Sequence, residues 1–190
     1  MNYPLEQQKQ SVTALAFKAE KLALFPTDTV WSVGCLLTSS SARQTMHQLA
    51  AGRSFTPEIL FSSLRALKEW VPDLHPRLET LLYVHQRPLT LVLDQAPKLC
   101  ASAHLKTPIA VRIVQDDYCR LLLAQTEEPV YSMPAFTAHQ GIATHFGQIS
   151  SDILSQVDYV DKYRQADTYP GSLSVMARLN AQEELEFLRD

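Results

Sequence analysis

The stretch Phe25-Pro26-Thr27-Asp28-Thr29-Val30-Trp31-Ser32-Val33-Gly34-Cys35 interrupts an apolar run with a proline and a Thr-Asp-Thr triplet, then turns apolar again. Residues 23–26 predict a short buried strand entering a turn, and residues 30–35 a second strand. Threonine and aspartate side chains on a tight turn have two uses. They can bond nearby backbone, which would make Asp28 a local turn residue. They can also present short hydroxyls to a ligand, with Trp31 as an apolar wall. Both readings stay open on these residues alone.

Working outward, residues 5–22 read as a helix, with Leu5, Val12, Leu15, Ala16, Ala19 and Leu22 at roughly helical spacing. A serine cluster opens a helix over 39–51, which Gly52 ends. Residues 58–61, 89–93, 109–114, 129–132, 157–161 and 172–179 read as strands. Residues 62–71, 74–84, 116–125 and 148–156 read as helices. Pro76 sits where a helix start tolerates proline, and the acidic residues that open 116–125 suit a helix N-terminus. Helices alternate with short strands, so the expected fold is α+β of the three-layer type: a twisted mixed sheet flanked by helices. The whole chain, 1–190, reads as one domain. Residues 181–190 form an acidic C-terminal extension, expected as a short helix on the outside.

The bulk properties fit one ordinary globular domain: 190 residues, 46% hydrophobic, 19% charged. A formal net charge of -3 excludes a strongly basic footprint for nucleic acid, although a local basic cavity is compatible with it. Cys35, Cys100 and Cys119 are far apart and odd in number. They suggest neither a zinc site nor a disulfide framework, and reduced thiols in a cytoplasmic protein are expected. The N-terminal residues carry charges and lack the apolar core of a signal peptide. No stretch approaches the roughly 20 apolar residues of a membrane span. Six histidines show no metal spacing, and with five glycines in the chain no Gly-rich phosphate loop is present.

The Thr27–Gly34 motif is followed in order by Arg53, by Arg87-Pro88-Leu89-Thr90-Leu91-Val92-Leu93, by Ile109-Ala110-Val111-Arg112-Ile113, by Pro129-Val130-Tyr131-Ser132 and by Val157-Asp158-Tyr159-Val160. In this order, over roughly residues 14–179, the chain resembles the YrdC-like threonylcarbamoyl-adenylate synthase family (YrdC, YciO and YwlC proteins). The resemblance implies a twisted mixed sheet around one large cavity. It implies condensation of threonine, bicarbonate and ATP into threonylcarbamoyl-AMP and pyrophosphate, with ATP a substrate accompanied by magnesium. The product would feed modification of a tRNA adenosine, and some relatives are described as binding double-stranded RNA. The same resemblance places Thr27, Thr29 and Trp31 in the threonine pocket. It places Arg53, Arg112, Ser132 and Ser172 on the nucleotide and its phosphates. No catalytic residue is nominated and no metal ligand is expected.

Arg53 is otherwise a solvated surface residue, and Arg112, in an apolar strand, is otherwise half of a structural ion pair. The chain also departs from the family. Ala51 stands at the lysine of its Lys-x-Arg motif. Pro134-Ala135-Phe136 stands where the family has Ser-Ala-Asn. Ser32 and Leu36 replace a usual glycine and aspartate. Charge-assisted contacts contribute about 1.5–3 kcal/mol each, so these losses weaken nucleotide binding unless other groups compensate. Three readings follow: an active synthase of altered specificity, a paralogue that binds nucleotide or RNA without making the adenylate, and a scaffold for protein contacts whose pocket Phe136 fills.

Overall fold

The computed structural model describes residues 11–52, 57–139, 141–168 and 170–190. Along these the chain runs through α1 (Val12–Lys18), β1 (Ala23–Phe25), β2 (Ser32–Leu36), α2 (Ser40–Leu49), β3 (Glu58–Phe61), α3 (Leu64–Trp70), α4 (Pro76–Val84), β4 (Leu89–Leu93), α5 (Pro97–Ala103), β5 (Ile109–Ile113), α6 (Asp117–Ala124), β6 (Val130–Pro134), α7 (Ser151–Gln156), β7 (Tyr159–Val160), β8 (Val175–Leu179) and β9 (Leu185–Arg189). The strands join one mixed sheet in the order β7-β1-β2-β6-β3-β5-β4-β8-β9. No helix among the described residues is long and apolar enough to cross a membrane.

Helix starts follow local chemistry. Ser63 accepts from the Ala66 amide at 3.1 Å, and Asp116 from the Cys119 amide at 2.6 Å, each satisfying an amide that the first turn leaves without a helical partner. Gly52, just past α2, has φ +78°, a conformation that costs glycine little.

The sheet has two unlike faces. Residues directly opposite on paired strands share a face. Ile59 pairs with Val111 and Tyr131, and Val111 with Leu91. This face is apolar and packs against Met46 and Leu49 of α2, Leu67 of α3, Leu78 and Leu81 of α4 and Leu99 of α5. On the other face Phe25, Leu60 and Val130 pack under Ala14 and Phe17 of α1 and Cys119 and Leu122 of α6. That face then turns polar: Leu60 pairs with Arg112, Arg112 with Thr90, and Glu58 with both Ser132 and Ala110. Helices thus cover both faces of the sheet, as the three-layer expectation requires.

Three expectations need correction. Residues 181–190 form no outer helix. Leu185–Arg189 is a strand, antiparallel to β8 at the sheet edge with a register shift opposite Met176 and Ala177, because a strand already in the sheet offers it a backbone to pair with. A helix over Pro97–Ala103 lies between β4 and β5, where none is expected; it starts on Pro97 and buries Leu99 and Ala103. The strand expected from residue 172 begins at Val175, which leaves Ser172 outside it and exposed.

Candidate functional site

The Thr-Asp-Thr turn joins β1 to β2 and is buried. Thr27 Oγ1 donates to the Val30 carbonyl at 2.7 Å and accepts from the Thr29 amide at 3.1 Å. The two threonine hydroxyls lie 2.8 Å apart. Thr27 has spent its one proton on Val30, so Thr29 is the donor between them. The Thr29 oxygen keeps acceptor capacity for a further group. Asp28 is no local turn residue. Its carboxylate accepts from the Gln115 amide at 2.8 Å and from Arg112 Nη1, tying the turn to the end of β5. Trp31 is buried, its ring centroid 4.9 Å from that of Phe146.

Thr27, Thr29 and Trp31 line a cleft with Thr144, His145, Arg164, Asp167 and Gly171. Arg164 Nε donates to Asp167 at 2.8 Å, and its Nη1 lies 3.4 Å from Asp116. Gly171 donates its amide to the Thr144 carbonyl at 2.8 Å. A Cβ on Gly171 would fall 2.1 Å from the Thr29 carbonyl oxygen, so the chain passes over the turn only because that residue is glycine. The cleft encloses about 50 Å³. That admits water but is well below the roughly 300 Å³ at which ligand pockets begin. Its walls still offer hydroxyls, a cation and a carboxylate together, the groups that a small zwitterion needs.

The second cluster lies on the polar face of the sheet. Arg112 is 2% exposed. Its Nε donates to Glu58 Oε2 at 2.8 Å, and its Nη1 to Asp28. Burial alone would lower the pKa of this guanidinium, but Glu58 and Asp28 together raise it above its ordinary value. Glu58 Oε1 accepts from Thr90 Oγ1 at 2.9 Å, and Ser174 Oγ lies 2.6 Å from Thr90 Oγ1. From β9, Arg189 donates to the Ser174 carbonyl at 2.7 Å and its hydroxyl at 2.9 Å, and lies 3.7 Å from Glu58.

The expected site residues therefore separate into groups. Thr27, Thr29 and Trp31 line one cleft. Arg112 is held by two carboxylates on the sheet's polar face, where Ser132 is buried and pairs across the strands with Glu58. Ser172 is exposed, and Ser174 is the serine that joins the polar cluster. Arg53 lies outside the described residues. Sequence reading passes over Glu58, whose only signal is a carboxylate opening an apolar strand. It also passes over Arg164, Asp167 and Gly171, in a stretch without periodicity. Phe136 is 2% exposed and belongs to the apolar core, its carbonyl taking the Ser150 amide at 2.8 Å.

The family model Sua5_yciO_yrdC, described as telomere recombination, matches residues 15–189. No curated protein matches the sequence. Among solved structures, a double variant of P. abyssi Sua5 aligns with a TM-score of 0.81 at 21% identity, over 98% of this chain and 57% of that one. P. abyssi Sua5 complexed with L-threonine aligns with a TM-score of 0.72 at 20% identity, over 98% and 55%. E. coli YciO aligns with a TM-score of 0.75 at 13% identity, over 94% and 86%. The chain spans a little over half the length of the Sua5 chains it matches, and at these identities the likeness is one of fold. With the family model matched over nearly its whole length, the chain belongs to the Sua5/YciO/YrdC family.

Proposed function

We propose that this chain takes threonine in the Thr27–Trp31 cleft and acts as a threonylcarbamoyl-adenylate synthase in tRNA threonylcarbamoyl-adenosine modification. The observation that carries the reading is the cleft itself. The Thr29 oxygen and the Asp167 carboxylate can accept from an ammonium or hydroxyl, and the Arg164 guanidinium can meet a carboxylate. Gly171 and the stretch around it would have to lift to admit the amino acid, since the cleft as it stands holds about 50 Å³. The fold's likeness to a Sua5 complexed with L-threonine supports the same assignment. ATP and bicarbonate would be the co-substrates. Among the described residues no group of three or more His, Cys, Asp or Glu could hold a metal. A magnesium ion would arrive on the triphosphate, whose oxygens share its coordination with water.

A second reading is favoured by Phe136. It is buried in the core where the family's amide would stand, and a phenyl ring cannot replace that hydrogen bonding. On this reading the chain is a catalytically impaired paralogue that binds nucleotide, tRNA or double-stranded RNA. Pyrophosphate release from ATP, with threonine and bicarbonate each omitted in turn, separates the two. Release that needs all three components supports the synthase. Folded protein that binds threonine but releases no pyrophosphate supports the paralogue. Protein that does not bind threonine at all refutes the assignment of the cleft.

A further inference from the structure

Glu58 opens β3 in the centre of the sheet's polar face, between Ser132 of β6 and Ala110 of β5. Its carboxylate draws on Arg112 through one oxygen at 2.8 Å. Through the other it draws on Thr90 at 2.9 Å, Ser174 at 3.4 Å and Arg189 at 3.7 Å. Two guanidiniums and two hydroxyls around one anion are the partners that a phosphate group would recruit. Asp28 takes the remaining share of Arg112. The two cations of this cluster, Arg112 and Arg189, are thus matched by two carboxylates of the chain itself.

We propose that Glu58 is a specificity-determining residue: an internal anion that holds the place of a phosphate and lowers the affinity of this face of the sheet for polyphosphate. The inference rests on reading that face as the nucleotide side of the proposed function. A triphosphate approaching it meets a carboxylate of its own sign. To reach Arg112 it must displace a partner bonded at 2.8 Å in a site almost closed to water, and discrimination built from like charge is strong where solvent is excluded. The departures at Ala51, Pro134 and Phe136 remove attractive contacts. Glu58 adds a repulsive one, and it acts even where those contacts are restored.

The test is isothermal titration of ATP, and separately of threonine, into the full chain. Three proteins are compared: the wild type, Glu58→Gln, and a variant carrying Ala51→Lys, Pro134→Ser and Phe136→Asn with Glu58 intact. Glu58→Gln keeps the shape and the hydrogen bonding to Thr90 and Ser174, while Arg112 keeps Asp28. It is expected to tighten ATP binding by about tenfold or more, and the variant with Glu58 intact to gain less than that. Unchanged ATP affinity in a Glu58→Gln protein that melts cooperatively overturns the proposal. So does a gain of about tenfold in the other variant, which decides the matter if Glu58→Gln fails to fold. Threonine is the separate readout. Its failure to bind the wild type sinks the cleft assignment, while the ATP comparison still reports on Glu58.

Discussion

Replacing Arg112 with methionine should be among the most damaging single changes in this chain. The side chain it removes is 2% exposed and lies between Asp28, itself 5% exposed, and Glu58, 13% exposed. Methionine fills much of the space but leaves two carboxylates facing each other with Arg189, 3.7 Å from Glu58, as the remaining cation of the cluster. Stranding one buried charge costs about 3–5 kcal/mol. A chain of this size loses roughly 2–4 °C of melting temperature per kcal/mol. The expected fall is therefore roughly 6–20 °C, read by far-ultraviolet circular dichroism, with urea titration for the free energy. A double-mutant cycle with Glu58→Gln should show coupling of about 1–3 kcal/mol, because neutralising Glu58 relieves part of the stranded charge. A loss under about 0.5 kcal/mol for Arg112→Met, the size of an ordinary surface change, would refute the reasoning. It would mean that these carboxylates are hydrated.

Three further outcomes are expected. Gly171→Ala should tighten threonine binding by up to about tenfold in titration calorimetry while leaving the fold intact, since its Cβ would meet the Thr29 carbonyl at 2.1 Å and hold the covering segment off the turn, the position that admits the amino acid. Thr27→Val removes a donor to Val30 and an acceptor for Thr29 and should cost about 1–3 kcal/mol in urea unfolding. Burial pushes the Cys35 thiol from 9.0 up to about 12, with Arg43 opposing part of the effect. The folded chain then keeps a proton that the unfolded chain loses, so this contribution is complete below pH 9 and is lost as pH rises toward 12. Urea midpoints across that range should fall with pH in the wild type and fall less steeply in Cys35→Ala.

Much of the fold is legible where one element's own residues determine it. Leu89–Leu93 and Ile109–Ile113 are apolar runs bounded by proline or polar residues, and the sequence places both within a residue of where they lie. Pro97–Ala103 escapes notice because its small residues show little amphipathic contrast, only Leu99 and Ala103 being buried. Leu185–Arg189 misleads for another reason. Its acidic, leucine-containing stretch suits a helix locally, and pairing with Val175–Leu179 overrides that preference. The site divides in the same way. Thr27, Thr29 and Trp31 stand in one recognisable turn. The partners of Arg112 lie 84 residues away at Asp28 and 54 at Glu58, distances over which no local pattern signals contact. Arg164 and Asp167 reach the cleft only because a glycine lets residue 171 pass over Thr29.

The polar cluster also bears on how the chain emerges from the ribosome. Synthesis proceeds from the N-terminus, and domains complete themselves as their last elements appear. Asp28 and Glu58 are made before Arg112, and Arg189 after all three, with the strand that carries its donors to Ser174 and toward Glu58. Until then two carboxylates share a single guanidinium, and the nascent sheet carries an unbalanced negative charge where its interior should close. Water must stay at that position until Leu185–Arg189 is made. That edge strand is the piece that lets it leave.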